Sequence, residues 1–314
     1  MIRKCKKRSG MVKGAIVLAS AMAIAVTGRA AVAGGQAAPA VSIEKNQVPL
    51  STRTPEASGS VTYSNKGATI DASNANNGYV MVKYSGGNQK IKVQITKNST
   101  YTYDINARDA YEVYPITEGS GTYMIKVFEN VSGDQYAQLL SQSVSVSLSN
   151  EFGPFLYPNQ YVNFNSGSAA VATAAQLTAG MDQIQTVEAV YHYVTTHVTY
   201  DYAKAQSVKS GYLPNVDSTL ATGTGICFDY AALMTAMLRS RDIPTKLVIG
   251  YTGDLYHAWV SVYINGVGWV DDVIYFDGTK WSLMDPTFIS TGGNSDAAKQ
   301  YVGTGANYRE KYSY

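Results

Sequence analysis

Near residue 150 the spacing of apolar residues changes, and that change limits the chain to a β-rich first half and a helix-containing second half. From about 58 to 148, apolar and polar residues alternate. Tyr79–Tyr84, Lys90–Ile95, Tyr123–Phe128 and Ser141–Leu148 are the clearest runs. Gly86-Gly87, Gly119-Ser120-Gly121 and Ser132-Gly133-Asp134 punctuate them. Alternation places every second side chain on one face of a strand, so several short strands between turn residues predict an all-β sandwich. After 150 the period is helical. Ser168–Leu177 is rich in alanine. Ile184, Val187, Val190, Tyr191, Val194 and Val198 share one face of a helix starting near Asp182. A polar loop with Gly211 and Pro214 leads to a helix that opens at Cys227, runs to about Arg241 and is stopped by Asp242-Ile243-Pro244. Its residues leave little polar face, which predicts a central position. Thr245–Tyr251 reads as a strand. Strand signals then continue from His257 to Met284, broken by the hairpin turns Asn265-Gly266 and Asp277-Gly278.

The first 33 residues read as a secretory signal. Arg3, Lys4, Lys6, Lys7, Arg8 and Lys13 precede an apolar core at Ala15–Thr27, and Ala31-Val32-Ala33 fits a cleavage site. A retained N-terminal anchor is the alternative reading. The signal carries seven of the 25 Lys and Arg and none of the 23 Asp and Glu. The mature chain therefore has 25 − 7 = 18 basic residues against 23 acidic ones, a net charge of about −5. That balance gives no support to nucleic-acid binding. No other apolar run reaches membrane-spanning length, so no span is expected after signal removal. Residues 34–55, with Pro39, Pro49 and Pro55, are expected to be a linker, 56–150 an immunoglobulin-like β-sandwich, and 151–314 an α+β domain. The 25 tyrosines against seven phenylalanines suggest rings that keep a polar tip near water.

The chain has two cysteines, and Cys5 lies in the expected signal. An exported protein left with one thiol, Cys227, cannot form an internal disulfide, so the thiol invites a chemical explanation. A cysteine opening a helix meets N–H groups without intrahelical acceptors and the positive end of the helix dipole, both of which favour thiolate. Gly223 and Gly225 would let the backbone turn sharply and let a substrate carbonyl approach. The N–H of Cys227 would then serve as an oxyanion donor. His257 begins a strand in the setting His257-Ala258-Trp259, and Asp285 precedes Pro286. An isolated cysteine in an apolar helix is commonly a small buried hydrophobe, and Asp-Pro commonly starts a turn. The three residues together are more informative than any one alone.

Gly225-Ile226-Cys227-Phe228-Asp229-Tyr230-Ala231, His257-Ala258-Trp259 and Asp285-Pro286-Thr287 resemble, in order, the three motifs of the transglutaminase-like superfamily. The resemblance covers about 165–290. It implies a papain-like α+β fold, with the cysteine helix packed on an antiparallel sheet. Carried over, Cys227 is the nucleophile, His257 the general base and acid, and Asp285 the carboxylate that orients the imidazole. The resemblance implies no cofactor. It includes cross-linking transferases, deamidases, peptidases and catalytically dead relatives.

Strand geometry leaves a rival for the carboxylate. A two-residue loop at Asn265-Gly266 puts 272 opposite 259, so that Asp272 shares a face with His257 and Asp271 faces away. Asp285 comes near His257 only if Lys280–Asp285 pairs directly with the His257 strand. The family motif favours Asp285. His192 is expected on a solvated helix face, and His197 near a helix C-terminus. Three histidines and one mature cysteine show no metal-ligand spacing. Trp259, Trp269 and Trp281 are expected to pack around the sheet or wall the cleft.

The expectation is a secreted or cell-surface cysteine-dependent acyl transferase or amide hydrolase. It would act on extracellular or cell-envelope proteins and peptides through a thioester. Two alternatives stand beside it: a cysteine peptidase of the same fold, and a non-catalytic adhesion protein with an inactive scaffold. A cell-wall amidase of another papain-like family would resemble Asp-Cys-Ser at the nucleophile, whereas this chain has Ile226-Cys227-Phe228.

Overall fold

The computed structural model describes residues 49–270, 274–276, 281–283 and 308–314. The expected signal and most of the linker lie outside them, as do Cys5, Asp271, Asp272 and Asp285.

The first half forms eight strands: β1 (Thr62–Asn65), β2 (Ala68–Asp71), β3 (Tyr79–Tyr84), β4 (Ile91–Thr96), β5 (Thr100–Asp104), β6 (Glu112–Pro115), β7 (Gly121–Ser132) and β8 (Gln135–Val146). One antiparallel sheet has the order β1-β2-β3-β6 and the other β5-β4-β7-β8. The alternation seen in the sequence becomes alternating burial. In β4, Ile91, Val93 and Ile95 are buried while Lys92, Gln94 and Thr96 are only partly so. Ile70, Val80 and Val82 from the first sheet share one apolar cluster with Val93, Ile125 and Val127 from the second.

The second half contains α1 (Ala169–Leu177), α2 (Gln183–His197), β9 (Thr199–Tyr200), α3 (Tyr202–Ser207), α4 (Val216–Thr222), β10 (Thr224–Gly225) and α5 (Cys227–Arg239). The start of α2 follows from local chemistry. Asp182 Oδ1 accepts the Gln185 N–H at 2.9 Å, and Gln185 Oε1 accepts the Asp182 N–H at 3.1 Å. Val187, Val190, Tyr191 and Val194 then face the core. After α5 come β11 (Thr245–Thr252), β12 (Leu255–Ile264), β13 (Gly268–Val270), β14 (Ile274–Phe276), β15 (Trp281–Leu283) and β16 (Tyr308–Ser313). A four-stranded antiparallel sheet has the order β13-β12-β11-β16.

Helix α5 packs on β11 and β12 and also touches α1, α2 and α4, so it has no water-facing side. Every residue from Asp229 to Arg239 is buried. Leu233, Met234, Met237 and Leu238 are each 0 % exposed; burial of such side chains stabilises by roughly 1.5–3 kcal/mol apiece. Arg239 is also 0 % exposed. Its guanidinium donates to the main-chain oxygens of Thr245 (2.9 and 2.8 Å), Tyr157 (2.6 Å) and Tyr314 (2.6 Å). Burial pulls it down to about 9, still charged at neutral pH. It ties the end of α5 to β11, to the loop before α1 and to the residue after β16.

Two expectations need correction. The tyrosines do not all keep a wet tip: Tyr103, Tyr114, Tyr123 and Tyr230 are among the largest fully buried side chains. A ring buries enough apolar area to offset its hydroxyl, more so when that hydroxyl finds an acceptor. Tyr123 donates to Gly119 O at 2.7 Å and Tyr230 to Val198 O at 2.5 Å. The β12–β13 register also differs by one from the expected hairpin. Ile264 pairs with Gly268, and Val262 with Val270, across a loop of three residues. Gly266 and Gly268 both take positive φ, +79° and +108°, which glycine adopts without a Cβ penalty. The alternation that singled out Asp272 rested on the two-residue loop and loses its basis.

Candidate active site

Helix α4 ends at Gly223, whose φ of +62° and N–H bond to Thr219 O form a left-handed cap. The chain then pairs β10 with β9, and the Asp201 N–H reaches Gly225 O at 2.9 Å. At Gly225 a Cβ would stand 2.6 Å from the Cβ of Asp229, so only glycine fits under the first turn of α5. The two glycines expected to open space for a substrate thus do different work. One ends α4, and the other lets Asp229 fold back.

Asp229 is 0 % exposed and holds this turn together. Its Oδ2 accepts the Ile226 N–H at 2.8 Å and the Lys204 ammonium at 2.6 Å. Its Oδ1 accepts the Tyr212 hydroxyl at 2.5 Å. Lys204 also donates to the Tyr212 oxygen at 2.6 Å. Burial alone would lower the Lys204 ammonium, but its hydrogen bonds to Asp229 and Tyr212 outweigh that and leave it above its ordinary value. Burial and the Asp229 hydrogen bond push the Tyr212 phenol up. The sequence offered one clue to this cluster. An acid three residues past a helix N-cap is a capping-box position, and Asp229 occupies it. Nothing local marked Lys204 or Tyr212.

Cys227 is a free, half-buried thiol at the first position of α5. No acceptor among the described residues meets its N–H, as expected for the first turn. It lines a cleft of about 620 Å³ together with His257, Phe228, Tyr212, Tyr256 and Ala258. His257 lies near the start of β12 opposite Gly250 of β11 and is 5 % exposed. A Cβ at Gly250 would meet Arg309 O at 2.1 Å and Trp259 Cη2 at 2.7 Å, so β16 can approach β11 here only because the residue is glycine. The His257 ring lies alongside Trp259, with centroids 6.4 Å apart and planes 24° apart.

The structure therefore brings Cys227 and His257 to one cleft. Asp285 lies outside the described residues. Strand β15 pairs with β14 as a separate two-stranded sheet, so direct pairing of 281–283 with the His257 strand is not found among the described residues. His192 is exposed. His197 stacks on Tyr193 at 4.9 Å, and its Nε2 lies 2.8 Å from Leu220 O. Trp259 is 2 % exposed and packs on Tyr308, whereas Trp269 packs on Phe155 and Tyr263; the Trp281 side chain is outside the described set. Among the described residues no group of His, Cys, Asp and Glu could hold a metal ion, and no helix is long and apolar enough to cross a membrane.

Residues 171–271 match the core of the transglutaminase-like superfamily, a segment that includes Cys227 and His257. The UPF0252 protein of Methanocaldococcus jannaschii is 34% identical over 105 residues, a match covering 30% of each chain. This chain thus spans about 30% of the length of that curated relative. Among solved structures, a candidate cysteine protease from Cytophaga hutchinsonii is 15% identical at a TM-score of 0.37, covering 81% of this chain and 83% of that one. Red sea bream transglutaminase is 11% identical at a TM-score of 0.31, covering 74% of this chain and 56% of that one. These levels of likeness fix neither substrate nor reaction. The α+β unit with its antiparallel sheet carries a transglutaminase-like core.

Proposed function

We propose that this protein is an exported cysteine enzyme that forms a thioester by attack of Cys227 on an amide of an extracellular protein or peptide. One observation carries the reading: the thiol at the start of α5 and the imidazole of β12 border the same open cleft. In the proposed mechanism His257 takes the thiol proton, and the sulfur adds to the carbonyl carbon. The N–H of Cys227 donates to the developing oxyanion. The imidazolium then returns the proton to the departing amine, leaving an acyl-enzyme. Water resolves that thioester in hydrolysis, and an amine resolves it in transfer. Asp285 is assigned as the carboxylate that orients His257, on the strength of the motif Asp285-Pro286-Thr287.

Alkylation by iodoacetamide near neutral pH, followed by mass spectrometry, tests the first step. Cys227 is expected to react faster than a free cysteine, and His257→Ala to lower that rate at least tenfold. Ammonia release or amine incorporation should vanish in Cys227→Ala. Full activity in that variant refutes the class. Loss of activity in Asp285→Ala, with Asp272→Ala active, supports the carboxylate assignment.

A further inference from the structure

The β-sandwich forms a wall of the cleft. Lys92, Thr102 and Asp104 from β4 and β5 line the same space as Cys227. A second cavity of about 480 Å³ lies beyond, and Asn106, Gln160 and Leu213 border both. The two cavities have these three residues as a common border and make a two-part groove.

Among the described residues, strand β5 is the edge of its sheet. The Ile105 N–H bonds Ile91 O at 3.0 Å on the β4 side. In an antiparallel ladder, alternate residues turn their main-chain groups to opposite sides. Tyr101, Tyr103 and Ile105 therefore face β4, while Thr100, Thr102 and Asp104 direct their N–H and C=O groups off the edge. Asp104 O confirms the direction, since it accepts Gln160 Nε2 at 3.2 Å from that side. Thr102 is exposed, and among the described residues its only hydrogen bond off the ladder is from Gln94 to its side chain. An open edge strand is a template for another strand.

Asn106, Asn159, Gln160, Asn163 and Asn165 are among the residues that line the far cavity, beside Glu112. Gln160 Nε2 already donates to Asp104 O at 3.2 Å and Glu112 Oε2 at 3.3 Å, and Asn106 Nδ2 to Asp104 O at 3.0 Å, so their amide oxygens are the groups left to meet a ligand. A carboxamide both donates and accepts, as does a peptide group. Asn159 is 4 % exposed; its Oδ1 accepts the Tyr161 and Val162 N–H groups, which fixes the amide orientation, and its Nδ2 has no acceptor among the described residues. The near cleft has aromatic lining, with Tyr256 55% exposed, but in the far cavity open ring faces for a sugar are few. Phe164 is 2 % exposed, and Lys83 lies over the Tyr111 ring at 5.0 Å.

We infer that this groove binds the substrate as an extended polypeptide, added as a strand along the open edge of β5 and held beyond it by the carboxamides around Gln160. The inference rests on the amide-directed reading of Cys227, but binding can be measured without turnover. In full-length Cys227→Ala protein, fluorescein-labelled casein, an unfolded polypeptide, is titrated by anisotropy. Thr102→Pro, made in that background, removes an outward N–H and no β4 bond, a change an edge strand tolerates. It should weaken casein binding about fivefold, as expected for one main-chain hydrogen bond. Asn106→Ala combined with Gln160→Ala should weaken it to a similar degree, and this variant carries the test if Thr102→Pro does not fold. Chitohexaose should not displace casein. Parent-like binding by the folded variants, no saturable casein binding, or displacement by chitohexaose would each overturn the inference. The iodoacetamide rate of Cys227, measured with Thr102→Pro alone, should match the parent. An inert thiol with intact, edge-dependent casein binding would sink the enzyme reading and leave the groove standing.

Discussion

The β-sandwich and the α5 region bury residues by different rules. In the sandwich each strand hides one face and keeps the other for polar side chains, as in β4. In α5 no face is left over, so its polar residues are buried with it. Lys92 and Asp104 pair at 2.6 Å on the sandwich surface with 33% and 46% of their side chains exposed. Asp229 and Arg239 of α5 are 0 % exposed, and each holds several partners. A polar contact at the surface trades with water and contributes little. A polar group inside cannot lose its partners without a large penalty. The seam between the regions is aromatic: Tyr103 meets Tyr314 at 5.9 Å and Tyr161 at 5.8 Å, and Tyr161 meets Phe228, the residue after Cys227, at 5.6 Å.

The largest effect separating the regions is expected at Arg239. Arg239→Met takes the guanidinium donor from Thr245 O and Tyr157 O, while Tyr314 O keeps the Leu247 N–H at 3.0 Å, and should cost about 3–5 kcal/mol in urea unfolding. A cost below about 1 kcal/mol would remove the contrast. Alkaline pH probes the seam and the sandwich core together. Burial pushes Tyr103 and Tyr114 well above the ordinary phenol value of 10.0. A phenol that keeps its proton longer folded than unfolded stabilises the fold fully below pH 10 and loses that contribution as pH rises toward the folded value. At pH 11 the loss should be on the order of 1 kcal/mol for each of the two. Flat stability from pH 9 to 11.5 would contradict it.

A smaller effect is expected at Gly225. Gly225→Ala drives a methyl into Asp229 and should cost about 1–3 kcal/mol, with slower alkylation of Cys227 as the first turn shifts. Unchanged stability and alkylation would show that the turn has room. The smallest belongs to the sandwich surface. Lys92→Met should change stability by less than about 1 kcal/mol. A larger loss in thermal unfolding would mean that the surface pair behaves like the buried ones.

Much of the fold was legible because its rules are local. Tyr79–Tyr84 coincides with β3, the helix expected from near Asp182 starts at Gln183 behind its Asp182 cap, and the Cys227 helix opens at Cys227. Strands β1, β2 and β6 were not legible. Each has four residues, too few for alternation to stand out. Strand β5 alternates in burial, yet its place at an edge is a matter of topology.

The sequence by itself determined the two burial rules, the helix that carries Cys227 and the motifs around Cys227 and His257. Hydrophobic period and capping act over a few residues, so they can be read along the chain. Tertiary structure alone decided the β12–β13 register, the gathering of Lys204 and Tyr212 on Asp229, and the placement of β5 against the cleft. These depend on which distant segments meet in space, and no local period records it.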